Sequence, residues 1–138
     1  NRELLTCACD VFVPAALENQ IDEEIAAEMQ CKFIVEGANG PTIAAADKIL
    51  EQRGIVLVPD IFANSGGVIV SYFEWVQNIQ KLTWEREQVN EMLEKLMTKA
   101  FAALYETTQE KHCTLRMGAY VVALQRLIDA EVIKGLFP

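Results

Sequence analysis

The residues of this 138-residue chain best suited to polar chemistry are two asparagines set among small residues and a serine just beyond the second. Asn39 lies in Glu36-Gly37-Ala38-Asn39-Gly40-Pro41-Thr42, and Asn64 opens Asn64-Ser65-Gly66-Gly67 ahead of Ser71. A carboxamide donates and accepts at once, so either asparagine can match an amide or a ribose hydroxyl. Each is equally a turn former that tolerates unusual backbone angles, and spacing alone leaves both readings open. Ser71 falls early in an expected helix, where serine usually bonds local backbone or faces water. The single histidine, His112, sits beside Lys111 in an expected helix break. With one histidine, no partnered cysteine and no serine in a nucleophile motif, no catalytic or metal-ligating residue is assigned.

These residues need elements to hold them. Three β-branched or apolar runs, Asp10–Val13, Phe33–Val35 and Ile55–Val58, lack clean alternation and predict strands covered on both faces. Helix-length segments over 19–29 and 42–53 separate them. In the second, Ala45, Ile49 and Leu50 form an apolar stripe, Thr42 is the expected N-cap and Gly54 the stop. The order β-α-β-α-β predicts a parallel sheet with right-handed crossovers.

Each strand ends in small residues: Pro14-Ala15-Ala16, Gly37-Ala38-Asn39, and Pro59-Asp60 followed by Asn64-Ser65-Gly66-Gly67. Ligands of open parallel sheets sit outside the carboxyl ends of the strands, so these three mouths make one candidate site. A helix expected from Val68 to about Ile79 puts the backbone N–H groups of Asn64–Gly67 at its positive end, a good place for a ligand.

After Gly67 the chain reads as helix, with breaks near 81–83 and 111–114. From Val89, the residues Met92, Leu93, Leu96, Met97, Ala100, Phe101 and Leu104 recur at helical spacing and predict one core-facing stripe. A last helix is expected from about Leu115 to Ile133, with Ala119, Val122, Ala123 and Leu127 on one side and Gly135 as its stop. The expected organisation is residues 1–80 as half of a doubly wound domain and 81–138 as a helical segment packing on it.

A net charge of −8 with 12 dispersed basic residues argues against a nucleic-acid surface. No apolar run approaches the roughly 20 residues of a membrane span, and no signal-peptide pattern opens the chain. Cys7, Cys9, Cys31 and Cys113 show no metal-ligand spacing. They read as reduced thiols packed as small hydrophobes, which predicts a cytoplasmic location. A dinucleotide site needs a glycine-rich turn and an acidic residue some 20 positions later, and the chain has neither. With an unpaired apolar strand edge, the sequence therefore reads as the distal half of a partial doubly wound α/β domain followed by C-terminal helices.

The order Cys9-Asp10-Val11-Phe12-Val13-Pro14-Ala15-Ala16, Glu36-Gly37-Ala38-Asn39-Gly40-Pro41-Thr42, Pro59-Asp60 and Asn64 through Trp75 resembles the C-terminal part of the glutamate dehydrogenase family. The resemblance continues through Leu115-Arg116-Met117-Gly118-Ala119-Tyr120 and covers nearly the whole chain. Leucine, phenylalanine and valine dehydrogenases resemble it too, but Ser71 before Tyr72-Phe73-Glu74-Trp75 looks like the glutamate branch. The resemblance implies a Rossmann-type NAD(P)-binding domain, with residues 1–80 as its distal half, and reversible oxidative deamination of L-glutamate to 2-oxoglutarate and ammonia with NAD or NADP, in a homo-oligomer. It implies cofactor contacts at Ala15, Ala16, Ala38, Asn39 and Asn64, and substrate contacts at Val68 and Ser71.

The family's catalytic lysine and aspartate and its glycine fingerprint precede the region matched here. The sequence therefore reads as a C-terminal fragment that should not catalyse alone. The alternative is a free-standing binding or interaction module that kept the fold and lost the chemistry. Little charge or proline blunts Asp10–Val13, which favours the fragment and predicts self-association through the open edge.

Overall fold

The computed structural model describes residues 2–135. Helix α1 spans Arg2–Leu5, β1 Val11–Phe12, α2 Glu23–Glu28, β2 Phe33–Val35, α3 Ala44–Gln52 and β3 Val56–Val58. Four helices follow: α4 Asp60–Ala63, α5 Ser65–Gln80, α6 Arg86–Lys111 and α7 Leu115–Lys134. The strands form one parallel sheet in the order β1-β2-β3, as the alternation of strand and helix predicts. The fold is α/β, with a partial doubly wound sheet followed by helices.

Register explains which strand residues build the core. Phe12, Ile34 and Leu57 stand in one row and pack with Ile21, Ile25, Ala26, Met29, Ala46 and Leu50 from the α2 and α3 side. Val11, Phe33 and Val56 stand in the neighbouring row, and all three are exposed. The strands are thus covered on one face among the described residues, not on two. The missing period-2 alternation in the sequence reflects an apolar second face that this chain leaves open.

The helix boundaries have local causes. Asp22 caps α2 by accepting from Ile25 N at 2.9 Å, and Glu23 and Glu24 lie in the first turn where the helix dipole favours acids. The helix expected over 19–29 is shorter because Asn19 takes φ 53° and Ile21 pairs in parallel with Thr42. That pairing also removes Thr42 from the cap position. Ile43 is the N-cap of α3, without a side-chain bond, while Thr42 is buried with its hydroxyl unpartnered. Gly54, at φ 71°, follows α3 in a left-handed conformation that suits glycine.

Helix α6 begins before Val89, at Arg86, behind a capping box formed by Glu85 and Gln88. Its apolar stripe is only partly core: Leu104 is buried, Met92, Leu93, Met97 and Ala100 are half-buried, and Leu96 and Phe101 are exposed. Phe101 instead lies on Phe62 and Tyr105, with ring centroids 5.6 and 6.1 Å away. On α7, Ala119 is buried, Val122 and Ala123 are half-buried and Leu127 is exposed. His112 ends α6 in an exposed left-handed turn, and Thr114 caps α7 through Met117 N. A side chain at Gly118 would collide with Thr108 Oγ1 and crowd Leu104 Cδ1, so glycine there lets α6 and α7 approach closely. Helix α7 returns to β3 and α4, which brings its first turn behind the sheet's carboxyl edge.

Candidate functional site

The three strand-end loops are fastened to one another by backbone bonds. Gly37 N and Ala38 N both donate to Pro14 O, at 3.0 and 2.8 Å, tying the loop after β2 to the loop after β1. Asn19 N donates to Gly40 O and Gln20 N to Pro41 O, each at 2.8 Å, which closes the far side of the same seam. A Cβ on Gly37 would sit 3.1 Å from Ala15 Cβ, so glycine is what lets these two loops touch. The third loop joins through Asn64, whose Nδ2 donates to Asn39 Oδ1 at 2.7 Å and to Gly37 O at 3.4 Å.

These loops and the first turns of α5 bound an open cleft of about 780 Å³. Ala15, Ala16, Ala38, Asn39, Asn64, Val68 and Ser71, the residues singled out in the sequence, all line it, with Gly37 and Gly67 between them. Its volume and its small-residue lining fit a site for a planar organic ligand with a few polar groups. Asn39 spends its carbonyl oxygen on Asn64 and keeps its amide donors for the cleft. Among the described residues, Ser71 Oγ makes no hydrogen bond within the chain, and the side chain is exposed.

One expectation about this site is overturned. The turn α4 runs directly into α5, so Asn64 N donates to Asp60 O and Gly67 N to Asn64 O. Those two of the four amides serve the chain itself rather than a ligand, and the helical run begins at Asp60, not Val68.

A buried ion cluster lies behind the loops. Arg116, in the first turn of α7, contacts Glu36 Oε1 through Nη2 at 2.7 Å, Asp47 Oδ2 through Nε at 2.8 Å and Asp60 Oδ1 through Nη1 at 3.5 Å. The Glu36 side chain is 0% exposed, so an unpaired charge there would be severely penalised. Burial works to lower the Arg116 guanidinium, but its bond and charge pairing with Glu36, joined by Asp47, hold it above its ordinary value. Burial pushes the Asp47 carboxyl up from its ordinary 3.8, outweighing Arg116, and the neighbouring Glu36 and Asp60 charges add to the rise. Three carboxylates share one cation.

Arg116 carries no assigned task in the sequence, and its three partners come from separate elements. A signal was present. A cation in the first turn of a helix opposes the dipole, so Arg116 needs acidic neighbours from elsewhere in the fold.

The cysteines are all free thiols. Cys31 belongs to the core and Cys9 packs against it, and burial raises the thiol pKa of both, which keeps them protonated and unreactive. Cys7 is exposed, which differs from the packed role expected of it. No helix among the described residues is long and apolar enough to cross a membrane.

The profile of the Glutamate/Leucine/Phenylalanine/Valine dehydrogenase family matches residues 1–135. The chain belongs to that family. It is 49% identical over 135 residues to the cryptic catabolic NAD-specific glutamate dehydrogenase GudB of Bacillus subtilis, covering 98% of this chain and 32% of that protein. It is 50% identical over 139 residues to the NADP-specific glutamate dehydrogenase A1 of Halobacterium salinarum, covering 100% of this chain and 33% of that protein. Among solved structures it superposes on the hetero-hexameric glutamate dehydrogenase of Thermus thermophilus, in a leucine-bound form. There the TM-score is 0.94 at 33% identity, over 99% of this chain and 33% of that one. The chain thus spans about a third of the length of the relatives it matches. Within this member of the family, Leu115–Tyr120 supplies the arginine of the ion cluster and the glycine of the α6–α7 contact.

Proposed function

We propose that this chain forms the nicotinamide-side wall of an NAD(P)-dependent glutamate dehydrogenase, with one contact to the amino-acid substrate. The observation that carries the reading is the convergence of all seven residues on one cleft at the carboxyl edge of a parallel sheet. The bare lining of Ala15, Ala16, Gly37 and Ala38 fits a flat ring that must lie close to backbone, and Gly67 adds room beside Val68. The close NAD-specific and NADP-specific relatives support the same cofactor class.

When bound, the dinucleotide supplies the hydride acceptor or donor. The chain's own residues orient and enclose. Asn39 and Asn64, locked together, present the Asn39 amide donors and the Asn64 carbonyl oxygen to the nicotinamide ribose or carboxamide. Ala15, Ala16 and Ala38 exclude water from one side, so that the reacting carbon is held in an apolar setting. Ser71 donates a hydrogen bond from its hydroxyl to the substrate's side-chain carboxylate, and Val68 packs against the substrate chain. Residues 1–80 then make the distal half of the cofactor domain and 81–138 the helices that brace it. Proton transfer at the amino acid requires groups that this chain does not supply, so activity belongs to a longer protein containing it. Further chains of an oligomer, or that longer protein, would cover the apolar row Val11, Phe33 and Val56.

The test is glutamate-dependent reduction of NAD and of NADP by the longer protein, set beside calorimetry of NADH with the 138-residue chain. Turnover in the first and no submicromolar binding in the second is the expected pair. Turnover of leucine or phenylalanine in preference to glutamate would overturn the substrate assignment, and tight NADH binding by the chain alone would favour a free-standing binding module.

A further inference from the structure

We propose that Arg116 is the positioning residue for the cofactor-side wall, setting the loop of Asn39 and the turn of Asn64 from the far side of the sheet. The structural part stands on the bonds alone, and its kinetic consequence rests on reading the cleft as the nicotinamide site.

Two of its carboxylate partners are bifunctional. Glu36 gives Oε1 to Arg116 and accepts from Asp60 N through Oε2 at 2.8 Å. Asp60 accepts from Arg116 Nη1 at 3.5 Å and from Ile61 N at 2.8 Å through Oδ1, and from Gly40 N through Oδ2 at 2.8 Å. Each therefore has one oxygen facing the guanidinium, which Asp60 shares with Ile61 N, and the other on backbone that leads into a cleft loop. Gly40 directly follows Asn39, and it stands at φ 55°, a left-handed turn that the Asp60 bond helps to fix. Asp60 opens the helical turn that delivers Asn64, and Asn64 closes the loop by donating to Asn39. Asp47 holds the guanidinium from α3 through Nε, with a longer contact to Nη2, which fixes its plane. A lysine carries the charge but has no rigid fork to meet three carboxylates in three directions.

A purely structural role would lower stability without singling out the cofactor. Arg116→Lys and the gentler Asp60→Asn are made in the longer enzyme, each with and without Asn39→Ala, and as single changes in the 138-residue chain. The expected result is a rise of about tenfold in KM for the dinucleotide, a much smaller change in KM for glutamate, and strong non-additivity with Asn39→Ala. In the chain without ligand, exchange of the Gly40 amide with solvent should speed up in both variants. Asp60→Asn carries the test if Arg116→Lys does not fold. An unchanged Gly40 amide, or effects that add to those of Asn39→Ala, would overturn the inference while leaving the nicotinamide reading intact. A silent Asn39→Ala would remove the nicotinamide reading and this kinetic route together, and the exchange experiment would then show separately whether Arg116 sets the loop.

Discussion

Arg116 Nη2 lies 2.7 Å from Glu36 Oε1, joining the first turn of the last helix to the end of the central strand across 80 residues of sequence. Glu36 is wholly buried and Arg116 is 18% exposed, so the pair is an interior one. Arg116→Met should therefore cost about 3–5 kcal/mol in urea unfolding, because it strands a buried charge. Adding Glu36→Gln should recover part of that loss while still accepting from Asp60 N. Equal stability of the single and double variants would show that Glu36 is not the group left uncompensated.

Asp47 gives the cluster a pH dependence with a definite sign. Its folded carboxyl lies above the ordinary 3.8, so just above that value the folded state binds more proton than the unfolded one. This group's contribution to stability is full at low pH and declines as pH rises through the folded value. Asp47→Asn should remove that decline, so the variant should gain on the parent between about pH 4 and about pH 7. Chemical unfolding at the two pH values measures this, and a variant that loses ground on raising pH would show pairing with Arg116 to outweigh burial.

Thr42 carries a buried hydroxyl with no partner. Thr42→Val keeps the shape and removes the desolvated group, so it should stabilise the fold by about 1 kcal/mol. Had Thr42 capped α3, the same change would destabilise it by a similar amount. The sign of the change in thermal midpoint decides between the two.

Gly67 lies in the first turn of α5 and lines the cleft, yet a Cβ there would meet no protein atom within 4 Å. Nothing in this chain's own packing requires glycine at that position. Gly67→Ala should raise stability by about 0.5 kcal/mol through helix propensity and, in the longer enzyme, weaken ligand binding by crowding the cleft. Stabilisation with unchanged KM for both ligands would place the bound molecules away from Gly67.

The strands, the parallel order and the cleft residues were legible because each depends on local signals: short apolar runs, and small residues at their ends. Resemblance added the pairing of Asn39 and Ser71 with particular ligands, which turn chemistry alone left open. The ion cluster was not legible because Glu36, Asp47, Asp60 and Arg116 sit on separate elements and meet only once α7 has returned to the sheet. Thr42 misled because a threonine before a helix reads as a cap, while its pairing with Ile21 is set by a loop some 20 residues away. The stripe on α6 reads as core by periodicity, but periodicity does not reveal that the chain leaves Leu96 and Phe101 exposed.

In the proposed function Ser71 faces substrate and Asn39 faces cofactor across one cleft. Steady-state kinetics of Ser71→Ala in the longer enzyme tests this most directly. Losing a hydrogen bond to a carboxylate should raise KM for glutamate by about tenfold or more and leave KM for the dinucleotide nearly unchanged. An unchanged KM for glutamate, or a rise confined to the dinucleotide, would contradict the account.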